Sequence, residues 1–387
     1  MKKGVFANPT IFAATTLTGT IIGAGILGIP YTLAKAGFLY GLLVIIAIGL
    51  AFILLNLFMG EVVLRTNKLH QLTGYAELYL GKWGKRIMFF AMIFSLYGAL
   101  IAYVIGEGAV LHTLFGVGAP WMFSLLFFAV TSFIVYRGVH TASIMELIMI
   151  SLLVIVVTII GVFSLDKITL QNLQGFSLRS FFLPYGVAVF AYSGLVAVPE
   201  MREVLGKNVK KMRKAIIIGS SIPVIIYVLF SLIVVGVVGA SNFELLQSND
   251  RIATVALSLY AHPIMGGLAN ILAFLSMFTS FLTIALALVW MYHYDYGISR
   301  SLSLGLTLIL PLIVGLLNIA SFIQVLGVTG AIAGGIQSGF AVLMFWLAKK
   351  KGTRKPEYTL GNHYLLGGIF ILLFLFGVFF EIFGGML

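Results

Sequence analysis

Cysteine is absent from the 387 residues. Its absence excludes a disulfide framework, a thiolate metal site and a cysteine nucleophile. Charge is scarce as well. Asp, Glu, Lys and Arg together make up 9% of the chain, against roughly 25% of an ordinary soluble domain. So few charges cannot cover a water-exposed surface of this size, and the solvent of this chain is lipid. The sequence holds no Walker motif, no Gly-x-Ser-x-Gly elbow and no His-Glu-x-x-His, so neither an enzyme nor a cofactor is expected. The six histidines (His70, His112, His140, His262, His293, His363) lie at the ends of apolar runs. None pairs at metal-ligand spacing, and interfacial anchoring suits them better.

What is present is apolar: 61% hydrophobic residues, with a mean hydropathy of +1.11. Runs of about 20 mostly apolar residues mark membrane helices. Eleven such runs are expected, at 10–36, 39–64, 87–112, 120–136, 141–164, 182–205, 212–239, 262–292, 299–317, 321–348 and 363–384. No cleavable signal peptide is expected, because the first run is too long and too broken by Thr and Gly. With the N-terminus in the cytoplasm and the C-terminus outside, 20 of the 24 Lys and Arg residues fall on the inner side. Only Lys35, Lys167, Arg179 and Arg251 fall outside, as the positive-inside rule requires. The net charge of +12 is thus a topology signal, since basic residues in short blocks between apolar runs do not make a nucleic-acid surface.

The first and sixth spans share a pattern. Thr18-Gly19-Thr20-Ile21-Ile22-Gly23-Ala24-Gly25 leads to Pro30, and Phe190-Ala191-Tyr192-Ser193-Gly194 leads to Pro199. In each, a proline follows a glycine by five residues, and the two prolines lie 169 residues apart. An amphipathic stretch, Gly74 to Leu80, has a loosely similar counterpart near Phe243 to Thr254 at the same offset. Five spans separate the equivalent features, so the second copy is inverted in the membrane. The expected division is 1–164, a first repeat of five spans; 165–348, an inverted second repeat; and 349–387, a basic loop with the eleventh span. Inverted repeats with interrupted spans point to a secondary transporter whose substrate binds at the midplane. Gly is costly inside a helix, Pro removes a donor, and freed peptide groups in hydrocarbon need partners. Bare helix N-termini suit a carboxylate, and exposed carbonyls suit a cation. Gly330, Gly334, Gly335 and Gly339 in the tenth span read instead as close helix packing.

These residues resemble a known family. Gly19 to Tyr31 with Ala36-Gly37-Phe38, the sixth-span segments Pro184-Tyr185-Gly186, Phe190 to Gly194 and Val198-Pro199-Glu200-Met201, and Phe278 to Phe281 in the eighth span resemble the amino acid/auxin permease branch of the amino acid–polyamine–organocation superfamily. The resemblance implies an all-α membrane protein with a five-plus-five inverted-repeat, leucine-transporter-like fold, discontinuous first and sixth helices, and eleven transmembrane helices. It also implies amino acid transport. Gly19 stands where sodium-coupled relatives often carry Asn, and the fifth span lacks the lysine of some proton-coupled relatives. The coupling ion is therefore open between H+ and Na+.

The expected substrate site comprises Thr20, Gly23, Ala24 and Gly25 from the first span and Phe190, Ala191, Tyr192, Ser193 and Gly194 from the sixth. Tyr97 and Ile101 join them from the third span, where Tyr103 brackets the same depth. A small cation site is expected from Gly19, Ile22, Ser276, Thr279 and Ser280, as oxygen ligands for a hard ion; back-bonding of the hydroxyls to their own helix is the plainer alternative. Glu107 and Glu146 are candidate proton carriers, because intramembrane carboxylates are expensive. Glu61 and Arg65 are expected to form a surface pair. Glu200, Arg202 and Glu203 are candidates for an inner gate with Lys2 or Lys3. The expected function is cation-coupled import of a neutral, apolar or aromatic amino acid into the cell across the plasma membrane by alternating access, with no protein partner. A same-fold carrier of another solute or a metal ion, or an ion channel, is the alternative.

Overall fold

The computed structural model describes residues 8–246, 253–260, 263–317 and 329–383, and every regular element among them is helical. The first span is built in two pieces. Asn8 caps α1 (Pro9–Ile21) by accepting from the Thr10 amide at 3.1 Å, with Pro9 in the first turn, where its missing amide costs nothing. The helix stops at Ile22, and α2 (Gly25–Ala36) restarts at an angle of 53°. Pro30 lies inside α2, so the glycine cluster rather than the proline makes the interruption. Gly37, at φ 107°, turns the chain into α3 (Phe38–Leu64).

Next comes α4 (Leu72–Phe115), which bends at Gly81, where φ is 81°. The amphipathic residues 72–80 thus form a separate arm before the apolar rod. The helices α5 (Pro120–Arg137) and α6 (Val139–Ser164) follow. The sixth span is again in two pieces: α7 (Leu183–Tyr192), an unwound interval with one tight turn at Leu195–Ala197, and α8 (Val198–Leu205), with Pro199 in its first turn. The chain continues through α9 (Met212–Val238), α10 (Ala240–Leu245), α11 (Ala253–Tyr260) and α12 (Pro263–Trp290), which widens into a π-turn at Met291–Asp295. It then forms α13 (Arg300–Leu317), a π-turn at Gly330–Gly334, α14 (Gly335–Lys351) and α15 (Tyr364–Phe383). Of the 243–254 stretch, residues 247–252 lie outside the described ones, as do Lys2, Lys3 and Arg251.

Among the described residues, eight helical stretches are long and apolar enough to cross a membrane, or nine when α1 and α2 count as one broken span. A shorter apolar helix covers Tyr364–Phe380. One of the eight, Leu183–Val238, runs to 56 residues, far beyond the roughly 20 of a single crossing. The interrupted helices hold the centre. α1 packs on α9, α6, α8 and α12, and α2 packs on α7 and α9. Burial sorts the surrounding helices: 89% of the α12 span is buried, against 28% for α5 and 33% for α13. Lipid-facing residues such as Trp121, Phe133, Leu365 and Leu372 stand exposed, in keeping with an apolar solvent.

Glu61 is not at the surface. It is fully buried, accepts from Arg65 Nε at 2.8 Å and Lys349 Nζ at 3.2 Å, and takes the Leu360 amide at 2.6 Å. The loop between α14 and α15 folds back over α3 and covers the pair, which sequence spacing alone could not show.

Candidate functional site

Two interruptions in lipid free several carbonyls, and each freed group needs a partner. Side chains from three other elements supply them. The Ser280 hydroxyl of α12 donates to Gly19 O at 2.7 Å and approaches Thr20 O at 3.3 Å. The Tyr227 hydroxyl of α9 lies 2.5 Å from Ile21 O and 3.1 Å from Ala191 O, so one phenol serves both broken helices. Gln71, just before α4, donates its Nε2–H to Val196 O at 2.8 Å. Tyr227 and Gln71 carry no motif in the sequence, since nothing local links them to carbonyls 36 to 206 residues away.

The two breaks are pressed together. A Cβ on Gly25 would lie 2.5 Å from both Cα and Cβ of Ala191. A Cβ on Gly194 would lie 2.7 Å from Ile21 and 2.9 Å from Leu17. Gly23 makes room for hydroxyls, because its Cβ would fall 2.5 Å from Ser280 Oγ and 2.7 Å from the Tyr103 oxygen. Glycine is thus required by close approach at each of these positions.

Between the breaks lies a cavity of about 30 Å³. One water needs about 10–15 Å³ by this measure, so the arrangement is closed down too far for an amino acid side chain. Thr20, Gly23 and Gly25 line it from the first span, and Phe190 and Ser193 from the sixth. Ala24 is buried beside it and hydrogen-bonds through its backbone with Tyr103. Ala191 meets Gly25, and Tyr192 packs on Phe52 and Tyr227, away from the cavity.

On α4 the cavity tyrosine is Tyr103, one turn beyond Ala99 and in line with Leu96. Tyr97 is turned toward α13, where its hydroxyl donates to Leu306 O at 2.9 Å and meets Tyr292 at 2.8 Å. The Ile101 backbone likewise faces α13 near Gly315, and neither Tyr97 nor Ile101 lines the cavity. The tenth span adds Gly330, Gly334 and Gln337, so two of the glycines read as packing residues also border the cavity. No charged side chain lines it among the described residues, which leaves peptide dipoles and hydroxyls to meet any ligand charge.

At the expected cation site, Ser280 reaches the first span but its neighbours do not. Thr279 donates back to Leu275 O or Ser276 O, at 3.1 and 3.0 Å, and Ser276 donates to Ala273 O at 2.9 Å. Both follow the back-bonding geometry open to hydroxyls in helices. Ile22 donates its amide to Thr18 O, and its neighbour carbonyl at Ile21 is taken by Tyr227. Glu107 is fully buried on α4. Glu146 lies on α6, and its side chain is outside the described residues. Among the described residues no group of three or more His, Asp or Glu side chains is arranged to hold a metal ion.

Arg202 on α8 donates to Val63 O, Thr66 O and Asn67 O at 2.7–3.0 Å and so binds the α3–α4 loop. Glu203 borders a second cavity of about 350 Å³ with Arg137, His293, Tyr294 and Arg300 at the α8 end of the molecule.

Comparison with known proteins bears on the family and the fold. The model of the tryptophan/tyrosine permease family matches residues 7–383. The chain is 25% identical over 381 residues to the tyrosine-specific transport system 1 of Haemophilus influenzae, covering 94% of each chain. It is 27% identical over 292 residues to that organism's tyrosine-specific transport system 2, covering 72% of each, and 25% identical over 375 residues to glutamine transporter 2 of Aliivibrio fischeri, covering 92% of this chain and 93% of that one. Among solved structures it is similar in fold to the nucleobase-cation-symport-1 family transporter MHP1, solved closed with bromovinylhydantoin bound (TM-score 0.65, 12% identity, 96% of this chain and 91% of that one). MhsT in complex with L-phenylalanine is similar too (TM-score 0.60, 16% identity, 97% and 96% covered).

Proposed function

The chain belongs to the tryptophan/tyrosine permease family, and on that footing we propose that it imports a neutral amino acid with an aromatic side chain, coupled to a cation, by alternating access. Membership makes it a multi-pass membrane transport protein and not an enzyme. The observation that carries the substrate reading is the uncharged cavity between two interrupted helices. The first turn of α2 opens on it at Gly25. The start of a helix carries its positive dipole end, which fits an amino acid carboxylate, although the Ile26 and Leu27 amides already turn back onto Gly23 O and Ala24 O at 3.3 and 3.0 Å. The ammonium group finds carbonyl and hydroxyl oxygen around Thr20 and Ser193, and Phe190, Leu96 and Ile284 form an apolar wall. Charged amino acids would bring an extra charge that nothing in this lining offsets.

In the proposed topology α1 with α2, and α7 with α8, are single broken spans, and α9 is separate from them. The whole chain then makes eleven crossings in two inverted five-span repeats plus α15, with the N-terminus cytoplasmic and the C-terminus outside. Its wider kinship lies with the amino acid–polyamine–organocation superfamily. Loading requires the breaks to part, since the closed cavity is far smaller than the ligand.

The test is uptake by purified protein in proteoliposomes, with tyrosine, tryptophan, phenylalanine, glutamine, lysine and glutamate compared under imposed sodium and proton gradients. Tyrosine or tryptophan should accumulate and lysine and glutamate should not. A panel in which no aromatic amino acid moves overturns the substrate reading, and single-channel currents would overturn the carrier reading.

A further inference from the structure

One carboxylate lies in the apolar core with nothing to answer it. Glu107 is fully buried, and neither of its carboxyl oxygens has a hydrogen-bond partner. Four residues separate it from Tyr103, so it stands on nearly the same face of α4, about 6 Å further along the axis. Helical side chains lean toward the N-terminus of their helix, so Glu107 leans back toward Tyr103. That tyrosine hydrogen-bonds with Ser280 and with the Ala24 backbone in the first-span break.

Among the described residues no counter-charge is at hand. The elements packed on α4 are α5, α12, α13, α14 and the two π-turns. The only charges on α5 and α13 are Arg137 and Arg300. These border the cavity that also holds His293, while Asp295 meets the opposite, starting end of α4. Between Pro263 and Trp290, α12 carries no charge, and α14 carries only Lys349, Lys350 and Lys351 at its end. On α4 itself the nearest titratable groups are Tyr103 and His112, whose ring packs on Phe123. An anionic Glu107 would therefore sit unsolvated and unpaired, which hydrocarbon penalises heavily.

We propose that Glu107 is the binding site of the coupling proton. The inference rests on the import reading above and names its cation. The step makes and breaks a single O–H bond. With the breaks open to the outside, water reaches the carboxylate, which takes a proton from hydronium. Closure carries the neutral acid, and opening to the inside returns the proton to water and leaves the carboxylate. No electron moves and no other co-reactant is needed.

Proteoliposomes loaded at neutral pH and diluted into buffer one pH unit more acidic test this with labelled tyrosine. One proton per substrate supports accumulation of about tenfold per pH unit, because each tenfold ratio is about 1.4 kcal/mol. The native protein should approach that ratio, and Glu107→Gln should fall to a ratio of about one. Counterflow, which needs no net proton movement, should continue in Glu107→Gln but lose its dependence on pH. Native-like accumulation by Glu107→Gln overturns the proposal. So does native accumulation that follows sodium and ignores the proton gradient, or loss of proton coupling in Glu146→Gln alone. If Glu107→Gln shows no counterflow, Glu107→Asp decides: coupled uptake with a shifted pH midpoint supports the site, and an unshifted midpoint or no uptake overturns it. If the native protein itself moves no amino acid in counterflow, the import reading fails and the proton site falls with it; the other outcomes leave that reading standing.

Discussion

A phenol has one proton to give, yet Tyr227 stands within hydrogen-bonding reach of carbonyls on both broken helices. Tyr227→Phe leaves Ala191 O without this donor and Ile21 O with the Gly23 amide at 2.9 Å, at about 1–3 kcal/mol where no water replaces the phenol. The melting temperature of the purified protein should fall, and uptake with it; an unchanged melt would mean that other groups satisfy the carbonyls. Gly25 has no such latitude, because its missing Cβ is the space occupied by the Ala191 backbone. Gly25→Leu should abolish uptake while the protein still inserts into the membrane. Retained transport would remove the first-span break from the site. Adjacent hydroxyls on α12 should differ in effect. Ser280→Ala deletes the bond to Gly19 O and should raise the half-saturating tyrosine concentration about tenfold, the equivalent of about 1–1.5 kcal/mol. Thr279→Ala deletes only a bond within its own helix and should change it by less than about twofold. Equal effects of the two substitutions would break the assignment.

The elements that move must be held shut by something, and the arm before the α4 rod is well placed to hold them. Asp295, at the end of the α12 π-turn, accepts from the amides of Gln71 and Gly74 at 3.1 and 2.7 Å, from His70 Nδ1 at 3.2 Å and from the Thr73 hydroxyl. This carboxylate at the start of α4 matches the helix dipole as well as its bare amides. Arg202 fastens the same loop to α8. Gln71 carries the connection into the sixth-span break at Val196, and Val196 lines the cavity. Gln71→Leu cuts that connection and should loosen the break on this side. Because the native chain has no cysteine, Ser193→Cys gives a single reporter. Its alkylation by a water-soluble thiol reagent in inside-out vesicles should be about fivefold faster with Gln71→Leu, the equivalent of about 1 kcal/mol. Equal rates would show that the Gln71 bond does not hold the break closed.

For the whole molecule, the proposed orientation in the membrane has a direct test. The end of α14 and the start of its link to α15 carry Lys349, Lys350, Lys351, Arg354 and Lys355, and Lys350 and Lys351 stand exposed. Trypsin should cut there in inside-out vesicles and spare it in sealed right-side-out vesicles, as the distribution of Lys and Arg requires. Cleavage from the outer face would reverse the topology. The same region shows the limit of local reading, because Lys349 of α14 and Leu360 of the link close over Glu61 and turn an apparent i, i+4 surface pair into a buried junction of three elements.

Composition settled the solvent, and the glycine clusters settled where the first and sixth spans are interrupted, because both follow from backbone chemistry within a few residues. Depth in the membrane was legible in the same way: Tyr97, Ile101 and Tyr103 all lie near the level of the breaks. Which of them faces the cavity was not. At 100° per residue Tyr97 and Tyr103 point about 120° apart, and on a helix apolar all round no polar face marks the direction of the core. Only packing decided that Tyr103 meets Ser280 while Tyr97 meets α13, that Thr279 bonds its own helix, and that Tyr227, Gln71 and Gln337 arrive from distant segments. Long-range partners of a bare carbonyl leave no pattern in a linear chain, since the geometry that joins them exists only after the helices have assembled.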